Sequence, residues 1–234
     1  PNDFELGKKH ELDEINVFSS DGRINQAGGE FAGLTLEEAR AQIMHRLESD
    51  GLVEKVEPYT HSVGVCYRCG TAIEPYISLQ WFMRMDELAR PAINVVEEGK
   101  VRFYPERWSG VYLDWMRSIR PWCISRQLWW GHRLPVWYCE DCEEIIVGEE
   151  PPATCPQCGS SELRQEEDVL DTWFSSALWP FATLGWPETT DRLEKFYPTN
   201  ALVTARDIIF LWVSRMIMMG LEFPSDIPYS DIII

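Results

Sequence analysis

The sequence is poor in basic residues. Its 234 residues include 21 Lys and Arg against 38 Asp and Glu, which gives a net charge of −17. A chain this acidic does not attract phosphate backbones over its whole surface, so any nucleic-acid contact must be local. Disorder is excluded as the main state, because 45% of the residues are apolar and can fill a core.

Long apolar runs are also missing. The longest, residues 208–221, has 14 residues and is interrupted by Ser214 and Arg215, so it is too short and too polar to cross a bilayer. No signal-peptide pattern opens the chain, which begins with Pro1. We therefore expect a cytoplasmic protein with no membrane contact, cut from a longer chain.

Several catalytic motifs are absent. The sequence has no Walker loop, Gly-x-Gly-x-x-Gly turn, Gly-x-Ser-x-Gly elbow or His-Glu-x-x-His helix. The histidines have no mutual spacing that would suggest a shared site, and none is assigned to catalysis: His10, His45, His61 and His132.

The patterns that are present favour an α/β fold. Thr35 and Glu38 form a helix capping box, and Gly51 stands where that helix should end. A second helix is predicted between Pro105 and Pro121. Residues 201–204 are typical of a strand that feeds a helix over residues 207–220, the β-α unit of a parallel sheet.

Further strands are predicted where apolar and aromatic residues alternate or cluster. These segments are residues 15–18, residues 52–56 with the stretch from residue 59 onward, and residues 76–83. A polar turn is expected directly after the last of them.

Six of the seven cysteines fall into Cys-x-x-Cys pairs, which is more typical of metal binding than of disulfides. The two downstream pairs predict a zinc ribbon, because four thiolates suit a tetrahedral zinc with no open position for substrate. Its ligands would be Cys139, Cys142, Cys155 and Cys158.

The remaining cysteines are less informative. Cys66 and Cys69 are either half of a second metal site, whose other half lies before Pro1, or two thiols without a ligand. Cys123, between two apolar residues, is interpreted as a small core hydrophobe.

Two acids stand near predicted helix starts. Asp3 and Asp207 could each be an ordinary cap or a solvated acid. Asp207 differs because it follows a predicted parallel strand, and open α/β sheets bind ligands at that end of their strands. Trp173 and Trp212 fit either a core or a pocket wall.

Several longer stretches of the sequence resemble valyl-tRNA synthetases, and together they extend along essentially the whole chain. The matching stretches are PWCISRQLWWGHRLPVWYC at residues 121–139, DVLDTWFSSALWP at 168–180, TLGWP at 183–187, IIFLWVSRM at 208–216, NDFE at 2–5 and QWF at 80–82.

This resemblance implies a class I aminoacyl-tRNA synthetase, in which a Rossmann-type catalytic fold is split by an inserted editing domain. The chain would hold the C-terminal part of the editing domain, a four-cysteine zinc ribbon and the second part of the split fold. The implied divisions are residues 1–60 for the editing part, 61–138 for the return connection and catalytic core, 139–165 for the ribbon insertion, and 166–234 for the truncated second half of the Rossmann-type fold.

The implied parent reaction joins valine to ATP, with magnesium, to give valyl-adenylate, and then transfers valine to tRNA(Val). The ATP motifs of the class, His-Ile-Gly-His and Lys-Met-Ser-Lys-Ser, do not occur here. No catalytic set is therefore complete in this chain, and the implied partners include missing N- and C-terminal segments of the same polypeptide.

The resemblance also implies roles for single residues. Trp173, Ile208 and Trp212 match positions that wall the valine pocket, and Asp207 matches the acid that meets the adenylate ribose. Asp3 matches the aspartate that holds the amino group of a misattached amino acid in the editing domain. Cys66 and Cys69 match a pair that often shares a second zinc with an upstream pair. The family's Gly-x-Asp is Ala205-Arg206-Asp207 in this sequence.

Two alternatives stay open at this point. The isoleucyl sibling shares the split fold and the editing aspartate. A chain that acts alone as a non-catalytic zinc-ribbon interaction module would use an apolar sheet face as its binding surface.

Overall fold

The structure, a computed structural model, describes residues 2–234, which fall into two units that divide between Leu79 and Gln80. Among the described residues, no helix combines the length and the apolar character that a bilayer crossing requires.

The first unit contains two α-helices, α1 (Asn2–Lys9) and α2 (Leu36–Ser49), and a 3-10 helix, Gln26–Phe31. The predicted capping box is confirmed, since Thr35 and Glu38 exchange side-chain and backbone hydrogen bonds at the start of α2. Gly51, with a φ of 68°, ends the same helix as predicted.

The strands predicted in the first unit are wrong. Of residues 15–18, only Phe18 forms an isolated bridge, and no strand forms over 52–56 or from 59 to 79. One reason is local, because the Asn25 side-chain amide donates to the carbonyls of Asn16 and Phe18 at 2.8 and 3.2 Å. These local hydrogen bonds compete with pairing to a neighbouring strand.

The second unit is built on a parallel sheet with the order β2-β10-β9. Its strands are β2 (Arg102–Tyr104), β9 (Thr199–Val203) and β10 (Tyr229–Ile233). The other strands are β1 (Phe82–Met83), β3 (Trp122–Cys123), β4 (Ser125–Arg126), β5 (Val136–Cys139), β6 (Ile145–Val147), β7 (Leu163–Gln165) and β8 (Val169–Leu170). They form three small antiparallel sheets, with the orders β1-β3, β4-β8 and β6-β5-β7.

Six α-helices accompany these strands: α3 (Asp86–Glu97), α4 (Arg107–Arg117), α5 (Thr172–Ser176), α6 (Trp179–Ala182), α7 (Asp191–Phe196) and α8 (Ser214–Glu222). The main core is formed by the apolar sides of α3, α4 and α8 together with strands of the parallel sheet. Two buried tyrosines keep their hydroxyls satisfied there, since Tyr112 donates to the Ala92 carbonyl and Tyr229 to the Val213 carbonyl, both at 3.2 Å.

The predicted β-α unit is confirmed, with an irregular join. After β9 the chain passes through a 3-10 turn, Arg206–Ile208, and a π-helical stretch, Ile209–Val213, before α8 begins. The second predicted helix is also confirmed, as α4. The join matters for the site, because it lies at the carboxyl end of the parallel strand β9.

The strand predicted over residues 76–83 is wrong for all but its last two residues. Only Phe82–Met83 forms a strand, and Leu79 is 99% exposed. The turn predicted after this segment is followed at once by the 12-residue helix α3, whose buried residues Ala89, Ala92 and Val96 lie on one face. Pro91 lies inside this helix and masks its pattern in the sequence.

Candidate functional site

The four downstream cysteines meet at one end of the three-stranded ribbon β6-β5-β7. Their sulfurs all lie within 4.8 Å of one another. The Sγ atoms of Cys139 and Cys158 are 3.6 Å apart, as are those of Cys142 and Cys155. These distances are far too long for disulfide bonds and suit thiolates that surround one cation.

Both Cys-x-x-Cys loops of the cluster have the same backbone geometry. The amide of the first cysteine donates to the carbonyl five residues later, and the amide four residues later donates back to the carbonyl of that cysteine. In each loop this later residue has a positive φ, 61° at Glu143 and 79° at Gly159. The two loops therefore present their sulfurs in the same way, to a common point.

The cluster is electrostatically suited to a cation. Backbone hydrogen bonds, first from the Cys158 amide, lower the pKa of Cys155 to about 7. At Cys142 the Glu144 backbone favours the thiolate, but desolvation and the neighbouring sulfurs raise the pKa to about 12. Four thiolates side by side repel one another, and a divalent ion supplies the positive charge that lets all of them stay deprotonated.

The upstream pair has the same loop geometry as the ribbon pairs. The Cys66 amide donates to the Thr71 carbonyl and the Gly70 amide to the Cys66 carbonyl, both at 2.8 Å, and Gly70 has a φ of 73°. Hydrogen bonding with Thr71, first with its side chain and then with its backbone, lowers the pKa of Cys69 to about 7. Within residues 2–234 no further Cys, His, Asp or Glu joins this pair to make a group of three.

A second candidate region lies where β9 gives way to the join before α8. Asp207 follows the carboxyl end of β9, and its side chain is 81% exposed, with one carboxylate oxygen 3.5 Å from Nε of Arg206. Its carboxylate is therefore open to a ligand. This is the edge of a parallel sheet at which α/β proteins bind their ligands.

The three predicted pocket residues lie on two neighbouring segments. Ile208 and Trp212 belong to the join, and Trp173 belongs to α5; all are partly buried. The indole Nε1 of Trp212 donates to the Ser176 carbonyl at 3.0 Å, which ties the join to the end of α5. The structure thus brings together the two segments that carry these residues.

Ala205 does not strain the backbone at this edge. Its φ and ψ are −99° and 151°, ordinary extended values for an alanine. The position that the sequence fills with alanine in place of glycine therefore does not need glycine's freedom.

Asp3, the predicted editing residue, is in the first turn of α1 and is exposed. A carboxylate in the first turn is favourable to the helix, so its position also has an ordinary structural explanation.

A buried charged network surrounds Asp171, and it was not predicted from the sequence. One carboxylate oxygen of Asp171 accepts from Nε1 of Trp122 at 2.9 Å and from Nη2 of Arg126 at 2.7 Å. The guanidinium of Arg215 lies 3.6 Å from the centre of the Trp122 ring. A signal was available, because Arg215 interrupts an otherwise apolar run.

Comparison with known proteins gives the family of this chain. The family model described as tRNA synthetases class I (I, L, M and V) matches residues 3–234. The chain is similar to a valine--tRNA ligase of Thermotoga maritima, with 58% identity over 234 residues, which cover 100% of this chain and 27% of the relative. It is likewise similar to one from Bdellovibrio bacteriovorus, with 56% identity over 233 residues, 100% of this chain and 26% of the relative.

Among solved structures, methionyl-tRNA synthetase of Mycobacterium tuberculosis in complex with methionyl-adenylate has a TM-score of 0.48 and 12% identity over 99% of this chain and 42% of its own. The chain spans about a quarter of the length of the valine--tRNA ligases that it matches, 26% and 27% for the two above. The resemblance read from the sequence is confirmed: this chain belongs to the class I tRNA synthetases, the family of the isoleucyl, leucyl, methionyl and valyl enzymes, and relatives with 52% to 58% identity to it are valine--tRNA ligases.

Proposed function

We propose that this chain is part of a cytoplasmic enzyme that activates valine with ATP and magnesium, transfers it to tRNA(Val) and hydrolyses mischarged threonyl-tRNA. The observation that carries the proposal is the match to valine--tRNA ligases over the whole chain, at 58% identity for the Thermotoga maritima enzyme. Under this proposal, residues 1–60 belong to an editing domain and residues 166–234 to the second half of a split Rossmann-type catalytic fold.

The valine pocket is proposed to use Trp173, Ile208 and Trp212 as its walls. The hydrogen bond that ties the join to α5 supports this, since it fixes the segments that carry these side chains. Large rigid walls exclude longer side chains. Asp207, exposed at the carboxyl end of β9, would accept hydrogen bonds from the adenylate ribose.

Zinc is proposed at Cys139, Cys142, Cys155 and Cys158, supported by the mutual distances of at most 4.8 Å among their sulfurs. When bound, the ion supplies cross-linking and charge, and no catalysis, because four cysteines leave no position for substrate. Cys66 and Cys69 are proposed to form half of a second zinc site, with the other ligands from another part of the parent polypeptide. The matching loop geometry supports that role.

Editing follows from the chemistry of the substrate. Threonine has nearly the same shape as valine, so an apolar pocket cannot strongly reject it at the first step. Asp3 is proposed to hold the ammonium group of the misattached threonine by a charge-assisted hydrogen bond. Its exposure on α1 leaves the carboxylate accessible for this purpose.

The main test is amino-acid-dependent exchange of pyrophosphate into ATP by the full-length parent enzyme. We expect exchange to be strongest with valine, weaker with threonine and weakest with isoleucine. The 234-residue chain, which lacks both ATP motifs, is expected to give none. Exchange that is strongest with isoleucine would assign the parent to the sibling enzyme, and no exchange by the parent would contradict the proposed activity.

A second test addresses editing. In the full-length enzyme, Asp3→Ala is expected to slow deacylation of threonyl-tRNA(Val) about 10- to 100-fold, the effect of one lost hydrogen bond to a charged group. Asp13→Ala, which removes another exposed acid from the same unit, serves as the matched control and should leave deacylation near the parent rate. Equal deacylation rates in the two variants would remove Asp3 from the editing site.

A further inference from the structure

Helix α5 carries Trp173, a proposed wall of the valine pocket, and it is too short to hold its own position. It has five residues, Thr172–Ser176, which is little more than one turn, and an isolated helix of that length is not stable in water. Its place in the molecule is therefore set by the contacts at its two ends. The contact at the C-terminal end is the hydrogen bond from Nε1 of Trp212 to the Ser176 carbonyl.

The contact at the N-terminal end is made by Asp171, directly before the helix. An aspartate at this position usually accepts hydrogen bonds from the first amides of its helix, but the side chain of Asp171 makes no such cap to α5. One carboxylate oxygen accepts instead from Nε1 of Trp122 at 2.9 Å and from Nη2 of Arg126 at 2.7 Å. The side chain of Asp171 thus holds the start of the helix to strands β3 and β4.

Backbone and ring contacts reinforce this end of α5. The Asp171 amide donates to the Ile124 carbonyl at 2.7 Å. The Phe174 ring packs against the Trp122 ring, with 5.9 Å between their centres and 31° between their planes. The guanidinium of Arg215, which is on α8 and only 6% exposed, lies 3.6 Å from the centre of the same Trp122 ring. Helix α5, strand β3 and helix α8 therefore meet at Trp122.

The contacts at the two ends of α5 are connected through α8. Trp122, which binds Asp171 at one end, contacts Arg215 of α8. The join that leads into α8 contains Trp212, which binds the other end. The separation between α5 and the join is therefore fixed from both ends of α5, and Trp173 and Trp212 are carried by those two segments.

We propose that Asp171 is a positioning residue for the valine pocket. It does not touch the substrate; it acts through α5, whose placement sets how far Trp173 stands from Ile208 and Trp212. Isoleucine exceeds valine by one methylene, so a wall that is held in place rejects isoleucine, and a wall that can move back admits it. This inference rests on the proposed function and deepens it, since it names a further residue that determines the specificity of the same pocket.

The test is pyrophosphate exchange by the full-length parent enzyme with valine, isoleucine and threonine. Asp171→Asn keeps the shape of the side chain and removes its charge, while Trp122→Phe keeps an aromatic ring and removes the N–H that donates to Asp171. In each variant the ratio of kcat/KM for valine to kcat/KM for isoleucine is expected to fall about 5- to 20-fold. The ratio of valine to threonine should stay the same, because threonine has nearly the shape of valine.

Trp81→Phe is the matched control. It removes another indole N–H that donates to a carboxylate, that of Glu166 at 3.2 Å, which follows the ribbon strand β7. Partial misfolding lowers the amount of active enzyme for all three amino acids equally, so a merely structural role changes neither ratio. A valine-to-isoleucine ratio that is unchanged in both Asp171→Asn and Trp122→Phe, or that falls as far in Trp81→Phe, overturns the positioning role.

A second measurement separates failure of the positioning role from failure of the proposed function. Backbone amide exchange of the parent enzyme, measured by mass spectrometry, should show reduced protection over residues 172–176 in Asp171→Asn and Trp122→Phe and normal protection in Trp81→Phe. Normal protection in all three variants would show that Asp171 does not anchor α5, whatever the activity. If the unaltered parent activates none of the three amino acids, the proposed function fails and the specificity role fails with it. Trp122→Phe leaves the pair of Asp171 and Arg126 in place, so it decides the matter where Asp171→Asn does not fold.

Discussion

Replacing Cys155 with serine is expected to abolish binding of the proposed zinc and to unfold the ribbon. Cys155 is 2% exposed, and its sulfur lies 3.6 Å from that of Cys142. Serine is a poor zinc ligand, so three thiolates are left around a weakened site. Structural zinc sites contribute about 10–16 kcal/mol of apparent binding free energy in small zinc-binding domains, which makes this the largest effect expected in the molecule.

The loss should stay local. The ribbon strands β5, β6 and β7 pair only with one another among the described strands, and the parallel sheet β2-β10-β9 is separate. The base of the ribbon is tied by Glu166, whose carboxylate accepts from the Tyr138 hydroxyl at 2.6 Å and from Nε1 of Trp81 at 3.2 Å. We therefore expect the sheet and its helices to remain folded when the metal is lost.

The measurement combines metal content with backbone amide exchange. The unaltered chain should carry about one tightly bound zinc, and Cys155→Ser should carry none and lose protection over residues 136–165. Cys123→Ser, a change outside the cluster, should keep both the zinc and the protection. Zinc retained by Cys155→Ser, or absent from the unaltered chain, would contradict the assignment of the four ligands.

Local chemistry made parts of the fold predictable. The capping box of Thr35 and Glu38 depends on two residues and their own backbone, and it formed as expected. The Cys-x-x-Cys spacing likewise fixes a loop, which is why the cluster of sulfurs could be anticipated. These features need no information from distant parts of the chain.

Features that depend on contacts between residues far apart in the sequence could not be predicted in this way. Residues 76–83 have strand-like composition, but only Phe82 and Met83 pair as a β-strand, with Trp122–Cys123. Helix α3 was missed because Pro91 and a polar first turn hid the spacing of its buried alanines and valines. β propensity measures how well a side chain fits a sheet, and it does not predict whether a partner strand lies beside the segment.

The candidate site divides along the same line. The resemblance proposed Trp173, Ile208, Trp212 and Asp207 as site residues, because they lie in or beside stretches that match the family. The network around Asp171 was invisible, because Trp122 and Arg126 are 49 and 45 residues away from it in the sequence. The one indication of this network in the sequence was Arg215 inside an apolar run, and the sequence does not show which residues Arg215 contacts.

Asp171 is the counter-charge for more than one cation. It is 7% exposed, accepts hydrogen bonds from Trp122 and Arg126, and lies close enough to Arg215 to favour that residue's charged form. Removing one partner from a buried ion pair is costly, because the other charge stays buried without compensation. Here two guanidinium groups would lose their acid at once.

Asp171→Ala is therefore expected to lower the free energy of unfolding by about 3 kcal/mol, toward the lower end for such pairs because Arg126 is 37% exposed. Chemical denaturation of the 234-residue chain measures this change. Asp114→Ala is the matched control, because it breaks an Asp–Arg pair of 3.7 Å in which Asp114 is 84% exposed, and it should cost less than about 0.5 kcal/mol. Similar costs in the two variants would mean that solvent or other groups compensate the arginines when Asp171 is removed.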